Sequence, residues 1–280
     1  MKLAAAGGPA SSLRIDLASP VSLARTMRFD ADDPRHFDAP APRRRPLVLP
    51  GFEGQVSRGA SCNCAVIELT PHCNGTHTES VAHLVVEPRD VCELVPLAPL
   101  PALLLTLDTL PAAGSDEDSD PAPQPDDWLL TRAALCAAWP ATLPFSPRAL
   151  VLRTGTGGHR DPAQASPIGA APTAAQTTPY LSRQLATELV ARGIEHLVVD
   201  LPSIDRGHDR GRLCGHRLFF GLPPGSTRLA EAGRPDCTIT ELAAIPASLP
   251  DGPYALQLTL PQISGDAIPS RPLLYRVETV

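Results

Sequence analysis

Nowhere does the chain approach the ~18 consecutive apolar residues that a membrane-spanning helix requires, so no transmembrane segment is expected. Aromatic residues are scarce: 2 Trp, 3 Tyr and 6 Phe leave few side chains for a stacking surface. The candidates are Phe52, Trp128, Trp139, Phe145, Tyr180, Phe219 and Phe220. Basic residues are outnumbered, 24 Lys and Arg against 30 Asp and Glu, for a formal net charge of −6. A phosphate backbone is gripped by a dense positive patch, and the longest basic run here is Arg43-Arg44-Arg45, which excludes nucleic acid as the main partner. The apolar part of the N-terminus, Leu3 to Ala6, falls short of the roughly 7–15 residues of a secretory signal core. Cysteines number seven, an odd count in a long chain and no disulfide framework, so the expected compartment is the cytoplasm.

Against these shortages, proline is abundant, with 33 residues. Many fall in 111–127 and 158–178, two stretches too poor in large apolar residues to offset the entropy of ordering. Both predict mobile surface loops within a single domain spanning 1–280, because the elements on either side read as parts of one sheet system. Segment 178–193, TPYLSRQLATELVARG, predicts a helix with Thr178 as cap, Pro179 in the first turn and Gly193 just past the end. Leu181, Leu185 and Leu189 repeat every four residues with Ala186 and Val190 beside them. Residues 127–139 predict a second helix, with Leu130, Ala133 and Ala137 on one face. ALVLRTG (149–155) and HLVVDLPSID (196–205) predict strands of a β-α-β unit around the first helix. CAVIELT (64–70), SVAHLVV (80–86), YALQLTL (254–260) and LLYRVETV (273–280) predict further strands. The sum is an α/β fold, a mixed β-sheet core with helices outside.

Histidine makes up eight residues of the chain, and His72, His77 and His83 crowd into TPHCNGTHTESVAHLV (70–85). Gly75 reads as a position of backbone freedom, tolerating φ > 0 between two converging imidazoles. If 77–83 is extended throughout, His77, Glu79 and His83 line one face. Imidazoles plus a carboxylate suit Zn²⁺ or Mn²⁺ better than the oxygen-loving Ca²⁺ and Mg²⁺. Three other readings stay open: a polar loop, a structural zinc site using Cys62 and Cys64, and a Cys73 nucleophile. His208 lies in the charged loop RGHDRGR. Asp200 and Asp205 end a strand, where either is an outer partner of the site or a solvated acid.

The run resembles the metal motif of the cyclase family that includes bacterial kynurenine formamidases and isatin hydrolases, H-x-G-T-H-x-D-x-P-x-H. Its counterparts here are His72, Gly75-Thr76-His77, Glu79 and His83, with one extra residue after His72 and Glu in place of Asp. RIDLASPVSLARTMRFD (14–30) is similar to the family's opening strand, ALVLRTG to its Arg-Thr-Gly strand, and LSRQLATELVARGIEHLVVDLPSIDR to its helix and following strand. The resemblance implies a swivelling β/β/α fold and a metal site completed by His216 and by Glu241, whose Thr-Ile-Thr-Glu-Leu context fits better than that of Glu231. It implies one or two divalent ions, Zn or Mn, held by His72, His77, Glu79, His216 and Glu241, with His83 moving protons. It also implies arylformamidase-like hydrolysis of a small-molecule amide, N-formyl aryl or cyclic, by metal-activated water in a homodimer or homotetramer. The alternatives are a cyclisation or another substrate, or a metal-binding protein of the same fold without turnover.

Overall fold

LPALLLTL, ALVLRT, HLVV and TITE carry few or no charges and place apolar or small residues on both sides of the chain, the pattern of strands covered on two faces. In the computed structural model, which describes residues 2–3, 13–29, 35–155 and 178–279, they are the strands Leu100–Leu107, Ala149–Thr154, His196–Val199 and Thr238–Glu241. They lie side by side in that order, all parallel. Antiparallel strands extend the sheet both ways. Gly252–Gln257 and Leu273–Thr279 follow beyond Leu100–Leu107, and His77–Glu79 and then Ala267–Pro269 beyond Thr238–Glu241. Eleven strands make up this mixed sheet among the described residues.

Side-chain alternation sorts the core into two layers. Leu103, Leu105, Leu150, Leu152, Leu197 and Val199 face one way, packed with the helix residues Leu135, Leu185, Leu189, Phe219 and Phe220. Ala102, Leu104, Ala149, Val151 and Val198 face the other, packed with Leu256, Leu258 and Leu274. Full burial of each Leu stabilises by roughly 1.5–3 kcal/mol.

The β-α-β unit is present: Ala149–Thr154 and His196–Val199 pair in parallel, with the helix Arg183–Ala191 between them in sequence. That helix starts later than its proline suggested. Tyr180–Leu181 instead forms a short strand beside Leu129–Leu130, and Ser182 caps the helix by accepting from Leu185 N–H. Gly193 does end it, in the left-handed conformation. The second helix is likewise shorter, Arg132–Ala138, because Trp128–Leu130 is a strand and Thr131 is the cap. Its buried face carries Leu135, whereas Ala133 and Ala137 are exposed, so the face read from the sequence was one residue out of phase.

SVAHLVV is no strand: Val81–His83 is a 3-10 turn and bends follow it. CAVIELT does give the strand Ala65–Glu68, but it pairs with Arg43–Pro46 in a separate two-stranded sheet whose side chains are largely exposed. Segment 111–127 is bonded to both helices. Glu117 accepts the Arg132 and Ala133 N–H groups, and Asp118 N–H donates to Gln184. The loop expected at 158–178 lies outside the described residues apart from Thr178. All seven cysteines are free, and no described helix is long and apolar enough to cross a membrane.

Candidate metal centre

Strand register builds the floor of the site. His77 and Glu79 share one face of a three-residue strand, and Glu241 on the neighbouring strand lies directly across from His77. On the other side, Ala267 pairs with Glu79, and Asp266 C=O accepts the Ser80 N–H at 2.9 Å. His72 comes from the single helical turn Pro71–Asn74, closed by Asn74 accepting the Thr70 N–H at 2.7 Å. His216 lies in the first turn of the helix Cys214–Phe220. His83 does not continue the strand face. Ser80 accepts the Ala82 N–H, and the 3-10 turn folds the ring back over the site, 4.2 Å from His72 and 5.7 Å from His216 between centroids.

All six residues expected at the site are therefore brought together. His72 Nδ1 lies 2.9 Å from Glu79 Oε2, and His216 Nε2 lies 2.8 Å from Glu79 Oε1. His77 Nε2 is 3.5 Å from Glu241 Oε2, and His216 Nε2 is 3.5 Å from Glu241 Oε1. Three overlapping groups have ligand atoms within 4.8 Å of one another: His72, His77 and Glu79; Glu79, His83 and His216; and, at the open side, His72, His83 and Asp266. Glu231 is at the surface beside Arg228. His77, Glu79, His216 and Glu241 are buried, whereas His72 and His83 are about a quarter exposed and Asp266 is 43% exposed, so the centre opens on their side.

Each ligand-type histidine has one ring nitrogen toward this cluster and the other against an outer oxygen. His77 Nδ1 is 2.9 Å from Gly75 C=O, His216 Nδ1 is 2.6 Å from Asp205, and His72 Nε2 is 2.9 Å from Asp266. Asp205 also accepts the Gly215 and His216 N–H groups at 2.6 and 3.1 Å, which decides its role: it anchors the ring and the helix start together. A Cβ at Gly215 would come 3.1 Å from Asp205 Oδ1, so any side chain there would press on this carboxylate. Glu241 is steadied by the Ile204 N–H at 2.8 Å.

Gly75 corrects an expectation. Its φ of 172° is extended backbone open to any residue, and what it supplies is room, because a Cβ would meet Met27 Cε at 3.1 Å. The zinc alternative through Cys62 and Cys64 gains nothing, as no ligand cluster among the described residues includes a cysteine. Burial and the Glu241 carboxylate push the Cys73 thiol up, away from the thiolate a nucleophile needs. His208 is exposed. Of the aromatic candidates, Phe145, Tyr180, Phe219 and Phe220 are committed to the interior, and Trp139 packs under Arg192.

The electrostatics suit a cation. Burial disfavours charge on Glu79, yet His216, His72 and His83 hold its carboxyl well below the usual range. Burial also opposes charge on His216, and Glu79 and Asp205 override it, keeping the ring protonated well above the ordinary histidine range. For His72, burial is outweighed by Asp266 and Glu79, which raise it to about 9. Without a metal, protons on His72 and His216 thus offset the charge of Glu79. Even so, His77 Nε2, both oxygens of Glu79 and His216 Nε2 lack any hydrogen bond of proper geometry among the described residues. Buried polar atoms that converge without bonding one another are what a divalent ion would satisfy, and N/O donors in this number fit one. Asp266 was invisible in the sequence: no motif contains it, and only strand pairing carries it to His72.

Residues 15–206 match a family model described as "Cyclase: Putative cyclase". Among solved structures, isatin hydrolase A from Labrenzia aggregata bound to benzyl benzoate is similar at 19% identity, TM-score 0.59, over 95% of this chain and 94% of that one. A "potential metal-dependent hydrolase with cyclase activity" is similar at 15% identity, TM-score 0.56, over 92% and 97%. A "predicted metal-dependent hydrolase" from Bacillus stearothermophilus is similar at 15% identity, TM-score 0.53, over 92% and 98%. No curated protein matches the sequence. The family match stops short of His216 and Glu241, which the fold brings to the centre.

Proposed function

The chain belongs to the cyclase family, and from that premise we propose that it is a metal-dependent hydrolase of an amide bond in a small molecule, an N-formyl aryl amide or a cyclic amide. The observation that carries the reading is the convergence of His72, His77, Glu79, His216 and Glu241, with the inner atoms of His77, Glu79 and His216 unsatisfied. These five would hold one or two divalent ions, Zn or Mn by donor type. When bound, such an ion supplies Lewis acidity, lowering the pKa of water and polarising a carbonyl oxygen.

The protein's own groups do the rest. Asp205, Gly75 C=O and Asp266 hold the three rings in place. His83 stands at the open side with Nδ1 3.6 Å from Asp266, which leaves Nε2 to take a proton from water and return it to the leaving nitrogen. An imidazole suits this exchange because one ring nitrogen can accept a proton and later return it. Work in the cytoplasm as a homodimer or homotetramer is part of the same proposal.

Turnover of N-formylkynurenine, isatin and formanilide, measured with and without chelator, tests the reading. Chelator-sensitive, Zn- or Mn-restored hydrolysis of one of them is expected. Protein that binds neither metal and turns over none of the three would sink it.

A further inference from the structure

We propose that Asp266 is a positioning residue that fixes the tautomer of His72, so that Nδ1 rather than Nε2 is the atom presented to the metal; the inference rests on the metal-centre reading above. Its Oδ2 lies 2.9 Å from His72 Nε2, on the side of the ring away from Glu79, while Nδ1 lies 2.9 Å from Glu79. The arrangement repeats that of His216, whose outer nitrogen is held by Asp205, and of His77, held by Gly75 C=O. An outer carboxylate selects which imidazole nitrogen keeps its proton and raises the basicity of the other.

Asp266 is itself held in place. Asp90 accepts Ser264 Oγ–H at 2.8 Å and the Gly265 N–H at 3.0 Å, the Val91 N–H donates to Gly265 C=O, and Ser80 N–H donates to Asp266 C=O. A side chain with a pinned backbone on both sides carries its carboxylate to one place. His72 needs such a guide more than the other two rings, because it is about a quarter exposed and rises from a helix of only four residues.

The test is Mn²⁺ titration of the full-length parent, Asp266→Ala, Asp266→Asn, His72→Ala and the His72→Ala/Asp266→Ala double variant. Asp266→Ala should weaken Mn²⁺ binding about 10- to 100-fold. Asp266→Asn keeps an acceptor for the ring N–H and should recover part of that loss. In the His72→Ala background the Asp266 change should add less than about twofold, because its effect runs through that ring. In Zn²⁺-loaded parent protein labelled with ¹⁵N-histidine, His72 should carry its proton on Nε2. Asp266→Ala binding as tightly as the parent, an undiminished loss in the His72→Ala background, or a proton on His72 Nδ1 would each overturn the assignment. Parent protein that takes up neither metal would instead remove the metal-centre reading, and this inference with it.

Discussion

Replacing Asp205 with alanine strikes at the joint between the fold and the centre. One carboxylate accepts three N–H groups, from Gly215 and His216 in the backbone and from the His216 ring, and it is 7% exposed. Alanine leaves two orphan donors in the first turn of the helix Cys214–Phe220 and frees the ring to rotate. Hydrogen bonds to a charged group contribute about 1.5–3 kcal/mol each, and bonds sharing one acceptor do not add in full, so a loss of about 3 kcal/mol in folding stability is expected. Asp205→Asn keeps one acceptor oxygen and should lose about half as much stability. In both variants His216 is less basic and less fixed, so metal affinity should fall about 10- to 100-fold. Equilibrium urea unfolding followed by tryptophan fluorescence reads the first quantity in chelator-treated protein, and competition with a coloured chelator reads the second. A parent-like urea midpoint for Asp205→Ala would show that the helix start does not depend on this carboxylate. Parent-like metal affinity would show that His216 needs no outer anchor.

His196, buried and bonded through Nδ1 to Thr238, is pushed down to about 4 chiefly by desolvation. As pH falls below ~6.5 the unfolded chain takes up that proton first, so stability declines down to about pH 4 and is flat below, by about 3 kcal/mol in all. His196→Gln should flatten that part of the stability–pH curve, and an unchanged slope would place the titration elsewhere. His83→Ala should keep Mn²⁺ affinity while lowering turnover about 10²- to 10⁴-fold, as loss of an acid–base group does; equal turnover would end its role in proton transfer. Gly75→Ala should cost less than about 1 kcal/mol, because the backbone is extended and only the flexible end of Met27 must yield. A loss well above that by thermal unfolding would mean the glycine is needed for more than room.

The division between sequence and structure follows from the range of the signals. Short unbroken apolar runs such as ALVL and HLVV, of strand length and with β-branched residues, fit strands covered on both faces, so the central sheet and its β-α-β unit were legible from the sequence. The spacing around Gly75-Thr76-His77 was local as well, and it identified His72, His77, Glu79 and His83 together. Element ends were less legible. Thr178-Pro179 and Ser182 are both good helix starts, and the pairing of Tyr180–Leu181 with Leu129–Leu130, a contact between distant segments, decided between them. The same limit applied to the turn at Val81–His83, where an extended reading reached the right residue by the wrong path.

What only the tertiary structure decided was the choice among chemically equivalent candidates. Glu241 was preferred to Glu231 on its Thr-Ile-Thr-Glu-Leu context, and it is Glu241 that sits on a strand in register with His77 while Glu231 lies at the surface. Asp205 was either solvated or an outer partner until the helix Cys214–Phe220 folded onto it. Asp266 had no local signal at all. It joins His72 across 194 positions of chain because the edge strand Ala267–Pro269 pairs with His77–Glu79, and strand register is set by the whole sheet rather than by any segment within it.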